Sequence, residues 1–146
     1  MKITIGREDK ADFPEFFLED IDLKIDSGAY TSSIHCSNIK EIELDGKKVL
    51  KFTLLDPEHI LYNNKEFISE DYTSKLVKSS NGISEMRFRI HTKIIIFNKN
   101  FPIYLTLSER KDMKFPILLG RKFLNKKFII DTVKKNLSHK IKYNKI

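Results

Sequence analysis

A carboxylate suited to acid–base chemistry stands at the end of an apolar stretch, in the segment L-K-I-D-S-G-A at residues 23–29. Asp26 follows the strand-type residue Ile25, and Ser27 and Gly28 favour a tight turn directly after it. The carboxylate would sit on rigid backbone, the Ser27 hydroxyl could hydrogen-bond across a site, and the glycine would let another chain approach closely. Asp, Ser and Gly are also the commonest turn formers, so these three residues alone are better explained by an ordinary turn.

A second motif, F-P-I-L-L-G-R-K-F-L, lies at residues 115–124. Leu118, Leu119 and Gly120 form an apolar pair followed by glycine, and residues 121–126 can supply a short helix. A buried strand with a glycine before a helix is the plain alternative. The order and separation of the two motifs are similar to those of retropepsins and pepsins, in which the active-site strand passes beneath such a segment. This resemblance implies an all-β, retropepsin-like closed β-barrel with one short helix after the L-L-G segment.

Five blocks that span nearly the whole chain resemble one particular family. They are I-G-R-E, K-I-D-S-G-A-x-T-S-x-I-H, V-K-S-S-N-G, E-x-R-F-R-I and L-S-E-R-K-D-M-K-F-P-I-L-L-G-R-K-F-L. They are similar to retropepsin-like proteins that carry the label ATP-dependent zinc protease and are associated with glutamate ligases of the RimK type. The chain departs from that pattern at Tyr30, where a basic residue is usual, at Ser27, where threonine is commoner, and at residues 56–71, which match nothing.

The resemblance implies a role for each matching residue. Asp26 would be the catalytic acid. Its supporting residues would be Ser27, Gly28, Ala29, Leu118, Leu119 and Gly120. In viral retropepsins an arginine at the position of Arg121 pairs with an aspartate shortly after the catalytic motif, but here Tyr30 and Thr31 stand there. We therefore expect a different carboxylate, or the substrate, to be the partner of Arg121.

The length of 146 residues predicts a single domain over 1–146, with a possible surface insertion at 56–71 and a basic tail at 134–146. One domain is too short for the two lobes of a pepsin, so a dyad of two Asp26 carboxylates would need a second copy of the chain on a twofold axis. No apolar run approaches the length that spans a bilayer, and the single cysteine, Cys36, allows no internal disulfide. These features predict a cytoplasmic protein without a membrane partner.

The net charge of +7 would attract an anionic partner. Lysine greatly exceeds arginine, whereas nucleic-acid readers lean on arginine to contact bases and phosphates, so no nucleic-acid partner is expected. Compositional bias towards Lys, Ile, Asn and Phe is the competing explanation of the charge. After it, attraction of an acidic peptide is the next most favoured interpretation.

Apolar alternation and turn signals predict a chain of strands. The predicted strands are 2–5, 22–26, 34–36, 39–44, 49–52, 86–97, 101–107, 117–119 and 128–131. Asp45-Gly46 predicts a type I′ hairpin turn, and residues 13–18, 56–71 and 108–114 are predicted to be loops. The tail from Lys134 is expected to be either a solvated end or a strand at a dimer interface.

Asn81-Gly82 is the strongest short hairpin signal in the chain. In the retropepsin order, the hairpin two strands before the apolar-apolar-Gly segment is the flap that closes over substrate. The resemblance therefore implies a flap tip at Ser80, Asn81, Gly82 and Ile83, with Arg121 as a further substrate contact. A plain surface hairpin is the alternative.

Other chemistries have weaker support. His35, His59, His91 and His139 are scattered without metal-ligand spacing, and no phosphate-binding G-x-x-x-x-G-K-[ST] loop exists, so neither zinc nor ATP is expected as a cofactor. Cys36 is better explained as a buried thiol than as a nucleophile. An intramolecular dyad of Asp26 with Asp131 is a remote alternative, because no glycine follows Asp131.

Two classes of function remain open. The first is a homodimeric aspartic endopeptidase that hydrolyses peptide bonds, with acidic or glutamylated protein tails as possible substrates. The second is a catalytically silent binding or regulatory module associated with a RimK-type glutamate ligase. The sequence does not separate turnover from binding.

Overall fold

The structure is a computed structural model that describes residues 1–78, 81–109 and 114–144, with residues 77 and 78 described by their backbone alone. Within these ranges no helix has the length and apolar character needed to cross a membrane.

Eleven strands and two short α-helices are found in the described ranges. The strands are β1 (Ile3–Ile5), β2 (Glu8–Phe13), β3 (Leu18–Ile25), β4 (Ser33–Leu44), β5 (Lys47–Leu54), β6 (Glu66–Ser69), β7 (Tyr72–Lys78), β8 (Ser84–Ile96), β9 (Lys99–Ser108), β10 (Ile117–Leu119) and β11 (Phe128–Ile130). The helices are α1 (Arg121–Leu124) and α2 (Leu137–Lys142). The prediction of an all-β fold is confirmed.

Six strands pair in a ring that returns to its start, in the order β10, β3, β2, β8, β9, β4 and again β10. The short strand β10 closes the ring because it runs parallel to β3 on one side and antiparallel to β4 on the other. Strands β5 and β6 extend the sheet beyond β4, β7 pairs with β8, and β1 pairs with β11 in a separate two-stranded sheet.

Alternating side chains of the ring strands fill its interior. In β3, for example, Ile21, Leu23 and Ile25 are buried while the residues between them are exposed. Burying one such side chain contributes about 1.5–3 kcal/mol. The ring is therefore held by its apolar interior, and β3 delivers Asp26 from a rigid strand.

Two predicted loops contain regular structure. Residues 66–69, within the expected insertion, form β6 at the sheet edge, where Phe67 packs on Phe16 and Phe52 with ring centroids 5.1 and 5.7 Å apart. The prediction of a loop throughout 56–71 is therefore wrong for this part, because aromatic burial holds the segment against β5. Within the predicted loop at 13–18, residues Pro14–Phe16 form a 3-10 helix.

Both helices differ from the sequence prediction. Helix α1 ends at Leu124 rather than at 126, and Lys126 has a left-handed φ of 69°. The expectation that the tail is a solvated end or a strand is wrong for residues 137–142, which form α2. Buried Asp9 of β2 accepts hydrogen bonds from the amides of Ser138 and His139 at 2.8 and 3.1 Å, which anchors the start of this helix.

Candidate active site

Asp26 is the first residue after β3, and its backbone and side chain are both held. Its amide donates a hydrogen bond to the carbonyl of Leu119 at 2.9 Å. Its carboxylate accepts a hydrogen bond from the amide of Gly28 at 3.0 Å, as in an Asx turn. The half-buried carboxylate therefore has a defined direction, set by β10 beneath it and by the turn that follows it.

The loop after Asp26 wraps over the junction of β10 and α1. The carbonyls of Ala29 and Tyr30 accept hydrogen bonds from the amides of Arg121 and Lys122, each at 2.9 Å. These two amides belong to the first turn of a helix, where no partner within the helix is available. The loop and the helix thus satisfy each other's backbone.

Gly120 lies where this loop comes closest to β10. A Cβ atom built on Gly120 would be 2.5 Å from the carbonyl oxygen of Thr31 and 2.7 Å from that of Tyr30. The backbone at Gly120 is extended, with φ −96° and ψ 176°, so space rather than conformation requires the glycine. Its amide donates to the buried hydroxyl of Ser32 at 3.0 Å, which ties the end of the loop to the same point.

Arg121 supports the loop from the other side. Its guanidinium donates to the carbonyl of Ser27 at 2.8 Å and lies 5.8 Å from the ring of Tyr30. Among the described residues Arg121 therefore bonds to a backbone carbonyl of the Asp26 turn and not to the carboxylate expected as one of its two partners. The other expected partner, the substrate, stays a prediction.

A cleft of about 570 Å³ opens above Asp26. Its lining residues are Asp26, Ala29, Thr31, Ser33, Ile39, Glu85, Met86, Arg87, Phe88, Thr106, Leu107, Ser108, Glu109 and Leu118. Of the predicted site residues, the structure brings Asp26, Ala29 and Leu118 together in this cleft. Leu119 is fully buried beneath the loop.

The predicted flap belongs to the hairpin of β7 and β8. Gly82 has the left-handed φ of 85° that the turn requires, and the amide of Ile83 donates to the side chain of Asn81 at 3.3 Å. Ser80 lies outside the described residues. The start of β8, at residues 85–88, forms part of the cleft wall, whereas Asn81, Gly82 and Ile83 do not line the cleft.

The described wall of the cleft carries more negative than positive charge. Asp26, Glu85 and Glu109 contribute carboxylates, and Arg87 is the one cation among the described lining residues. The guanidinium of Arg87 lies 3.1 Å from the carboxylate of Glu85 in a salt bridge. Apart from Arg87, which is paired with Glu85, the described lining of the cleft contains no lysine or arginine.

The other candidate residues lie in separate surroundings. Asp131 accepts a hydrogen bond from the amide of Val133 at 3.1 Å and does not line the cleft. Cys36 is fully buried, and burial, reinforced by the charge of Glu109, raises the pKa of its thiol to about 12, which removes it as a nucleophile at neutral pH.

The four histidines also have different neighbours. His35 lies 3.0 Å from Asp56 and 3.2 Å from the carbonyl of Ser108, and His59 accepts from the amide of Leu61. The rings of His91 and His139 each pack against a tyrosine ring at a tilted angle. In the described ranges no three His, Cys, Asp or Glu side chains are grouped to hold a metal ion, so the residues do not fit the zinc that the family label implies.

Sequence reasoning did not single out Ser32 or the start of β8. A sequence signal for Ser32 exists, because three hydroxyl residues, Thr31, Ser32 and Ser33, follow Tyr30; the structure shows that Ser32 is the buried one of the three. Residues 85–88 form part of the cleft wall because of how the hairpin of β7 and β8 packs on the rest of the fold. Local sequence does not encode that packing.

Comparison with known proteins agrees with this architecture. The chain is 37% identical over 134 residues to a probable alpha-L-glutamate ligase of Desulfotalea psychrophila and 34% identical to one of Shewanella pealeana; each match covers 89% of the chain. The chain spans only 28% of the length of these relatives.

A crystal structure of a Legionella pneumophila protein of unknown function shares the fold, with a TM-score of 0.68, 24% identity and coverage of 94% of this chain and 99% of that one. A family model described as retropepsin-like aspartic endopeptidase RimB matches residues 4–141. The chain therefore belongs to the RimB-like family of retropepsin-like proteins.

Proposed function

We propose that the chain is an aspartic endopeptidase that works as a homodimer. Each copy contributes one Asp26, and the two clefts join across a twofold axis that passes between the two carboxylates. The observation that carries the proposal is the way in which Asp26 is held at an open cleft: its backbone amide donates to the carbonyl of Leu119, its carboxylate accepts from the amide of Gly28, and the residue lines the cleft.

Two carboxylates about 3 Å apart cannot both ionise, so the pair shares one proton. The ionised carboxylate takes a proton from water as the water attacks the scissile carbonyl, while the protonated one donates to the carbonyl oxygen. Gly28 and Ser27 lie at the start of the same turn and leave room for the partner's loop. Leu118 and Ala29 supply the apolar floor of the cleft.

The hairpin of β7 and β8 is the element that would close over a bound peptide. Residues 85–88 line the cleft opposite Leu118, and the left-handed turn at Gly82 extends beyond them. The described part of the tip, Asn81, Gly82 and Ile83, would then reach the substrate or the partner's tip. Arg121 would act indirectly, because its guanidinium holds the Ser27 carbonyl.

The proposed substrates are peptides rich in glutamate. Relatives that carry this domain within a longer chain are named alpha-L-glutamate ligase, and the net charge of +7 favours anionic ligands. A protein that processes glutamylated tails beside such a ligase would act in the cytoplasm.

A second candidate is a binding module that regulates a RimK-type glutamate ligase without turnover. It is favoured by the relatives themselves, in which a domain of this family makes up 28% of a protein named for ligation rather than hydrolysis. In this case Asp26 would remain a structural residue of the turn.

The test uses Asp26→Asn, with Asp131→Asn as the matched control. Asp131 also lies at the end of a strand and accepts one backbone amide, but it does not line the cleft. We expect Asp26→Asn to abolish cleavage of glutamate-rich peptides while its thermal unfolding and its dimer sedimentation remain unchanged. Asp131→Asn should retain activity, and chelators should change nothing.

Cleavage that persists in Asp26→Asn would contradict the peptidase proposal. A chain that sediments as a monomer at every concentration tested, and cleaves nothing, would leave the binding module. A crystal structure of the dimer would measure the distance between the two Asp26 carboxylates directly.

A further inference from the structure

A second cavity, of about 330 Å³, lies beside the Asp26 cleft and has the opposite charge. Its lining residues are Thr31, Ser32, Arg89, His91, Pro102, Ile103, Tyr104, Thr106, Lys122, Phe123 and Lys127. None of the described residues in this lining carries a carboxylate, whereas Arg89, Lys122 and Lys127 carry positive charge. We call this cavity the basic pocket.

Two of the three cations of the basic pocket contact one aromatic ring, that of Tyr104, and the third, Lys127, lies over Phe123. The guanidinium of Arg89 lies 4.5 Å from the ring centroid of Tyr104, and the ammonium of Lys122 lies 4.7 Å from it. The ring of His91 packs against the same tyrosine at 4.7 Å. Cation–π contacts of this kind hold positive charges in place without neutralising them.

The positive charges of the basic pocket have no carboxylate partner in the described part of the chain. Neither Arg89, Lys122 nor Lys127 takes part in a salt bridge there. Lys127 instead donates to the carbonyl of Phe123 at 3.0 Å. Like charges held close together repel one another, so a bound anion would stabilise the arrangement.

The basic pocket and the Asp26 cleft are neighbours. Thr31 and Thr106 line both cavities. A peptide in the cleft could therefore continue into the basic pocket without a long excursion over the surface. The acidic wall of the cleft and the basic pocket are therefore adjacent binding surfaces.

We propose that the basic pocket is an exosite that binds carboxylate side chains of a peptide next to the segment held in the Asp26 cleft. The proposal rests on the proposed function, because it takes the substrate to be rich in glutamate. It places the acidic part of that substrate in the basic pocket rather than against the acidic wall of the cleft. Ile103, Pro102 and Phe123 supply apolar contact for the methylene groups of glutamate, and the cations meet its carboxylates.

An acidic peptide fits this pocket better than a nucleic acid does. Binding of single-stranded nucleic acid depends on exposed aromatic faces on which bases can stack. The ring of Tyr104 contacts Arg89, His91 and Lys122 and remains 45% exposed, so the pocket offers at most one, partly occupied stacking face. Charge with so little stacking surface favours carboxylates.

The experiment measures binding of fluorescent hexaglutamate by anisotropy to the Asp26→Asn chain, which separates binding from turnover. The test variant adds Arg89→Gln and Lys122→Gln. The matched control adds Lys47→Gln and Lys48→Gln, which remove the same charge from exposed lysines of β5 that lie outside both cavities. Since exposed ion pairs contribute modestly, we expect the test variant to bind roughly three- to tenfold more weakly and the control to change less than about twofold.

Two further measurements locate the effect. Arg89→Lys keeps a positive charge that can still lie over Tyr104 and should bind within about twofold of the parent. Unchanged thermal unfolding of the Arg89→Gln, Lys122→Gln variant would exclude misfolding as the cause of its loss. Amide shifts on titration with hexaglutamate should be largest near Arg89, Tyr104 and Lys122. Hexaglutamine should bind far more weakly.

Several results would overturn the exosite. They are an equal loss in the test and control variants, equal binding of hexaglutamine, and tighter binding of a hexanucleotide that depends on the same two residues. If the wild-type chain cleaves nothing but hexaglutamate binding depends on Arg89 and Lys122, the peptidase proposal fails and the exosite stands. If cleavage requires Asp26 but binding ignores these two residues, the exosite alone fails.

Discussion

Gly120→Ala should distort the Asp26 loop and destabilise the chain. The added Cβ would lie 2.5 Å from the Thr31 carbonyl oxygen and 2.7 Å from that of Tyr30, and backbone atoms cannot move aside as the end of a side chain can. Overpacking of this kind costs about 1–3 kcal/mol. Weakening the buried hydrogen bond from Gly120 to Ser32 adds about 1 kcal/mol, and the stiffer unfolded chain returns about 0.4–1 kcal/mol. We expect a net loss of about 1–3.6 kcal/mol.

The loss would be measured by urea unfolding, together with backbone amide shifts of residues 26–32. The control is Gly46→Ala in the hairpin of β4 and β5, where φ is 80° and nothing lies within 4 Å of the added atom. It should cost about 1 kcal/mol through backbone strain and leave the shifts of 26–32 unchanged. If Gly120→Ala unfolds at the wild-type urea concentration with unshifted amides at 26–32, the argument from close approach is refuted.

Three further changes test the surroundings of the site. Because burial, with the charge of Glu109, raises the pKa of Cys36 to about 12, a disulfide reagent at pH 8 should label it only after denaturation; rapid labelling of the native chain would contradict this. Asp9→Ala removes the acceptor that anchors α2 and should cost about 1–3 kcal/mol in urea unfolding; an unchanged midpoint would show that α2 does not depend on it. Partial burial acts to raise the pKa of Asp20, but hydrogen bonds from Lys142 and Tyr143 outweigh it, so the pKa is lowered. The contribution of Asp20 to stability is therefore present above about pH 4 and is lost as the pH falls through the pKa of the folded state. Asp20→Asn should therefore flatten the acid limb of the stability profile, and an unchanged limb would assign that limb to other groups.

The parts of the fold that follow local rules could be predicted from the sequence. Apolar alternation predicted β8 and β9 to within a few residues, because each strand has one face in the core. Asp45-Gly46 predicted a type I′ turn, and both residues have the positive φ that this turn needs, 53° and 80°. The L-L-G segment was predicted to form a strand and a helix start, and β10 and α1 occupy those positions.

The parts that depend on distant partners could not be predicted. Strand β2 places Asp9 on its buried face, where a sequence pattern calls for an apolar residue. The carboxylate is tolerated there because amides of Ser138 and His139, 129 and 130 residues away, donate to it. This one long-range contact explains why sequence patterns miss both elements. Without the amides of α2, a strand with Asp9 on its core face is too polar to be predicted. Without the carboxylate of Asp9, the tail has no partner in the fold and is expected to be solvated.

Arg121 illustrates the same limit at the site itself. The resemblance supplied its position but also a carboxylate partner that the chain lacks, and the guanidinium instead takes the carbonyl of Ser27. A backbone carbonyl is available at every residue, so sequence cannot identify it as a partner. Arg121 therefore stabilises the turn that carries Asp26 through a hydrogen bond to backbone rather than through an ion pair.

The net charge of +7 is the sequence feature whose meaning changes most when the chain is folded. Averaged over the chain, it suggests a cationic cleft, yet the described cleft wall places Glu85 and Glu109 beside Asp26. Arg89 and Lys122, which take part in no salt bridge among the described residues, contact Tyr104 in the neighbouring pocket, which shares Thr31 and Thr106 with the cleft. Because charges at a distance are screened within roughly 8–10 Å at physiological salt, a glutamate-rich ligand responds to this local arrangement rather than to the total. A peptide whose acidic residues flank the cleaved bond on one side should therefore be preferred over one with the acidic residues at the bond itself.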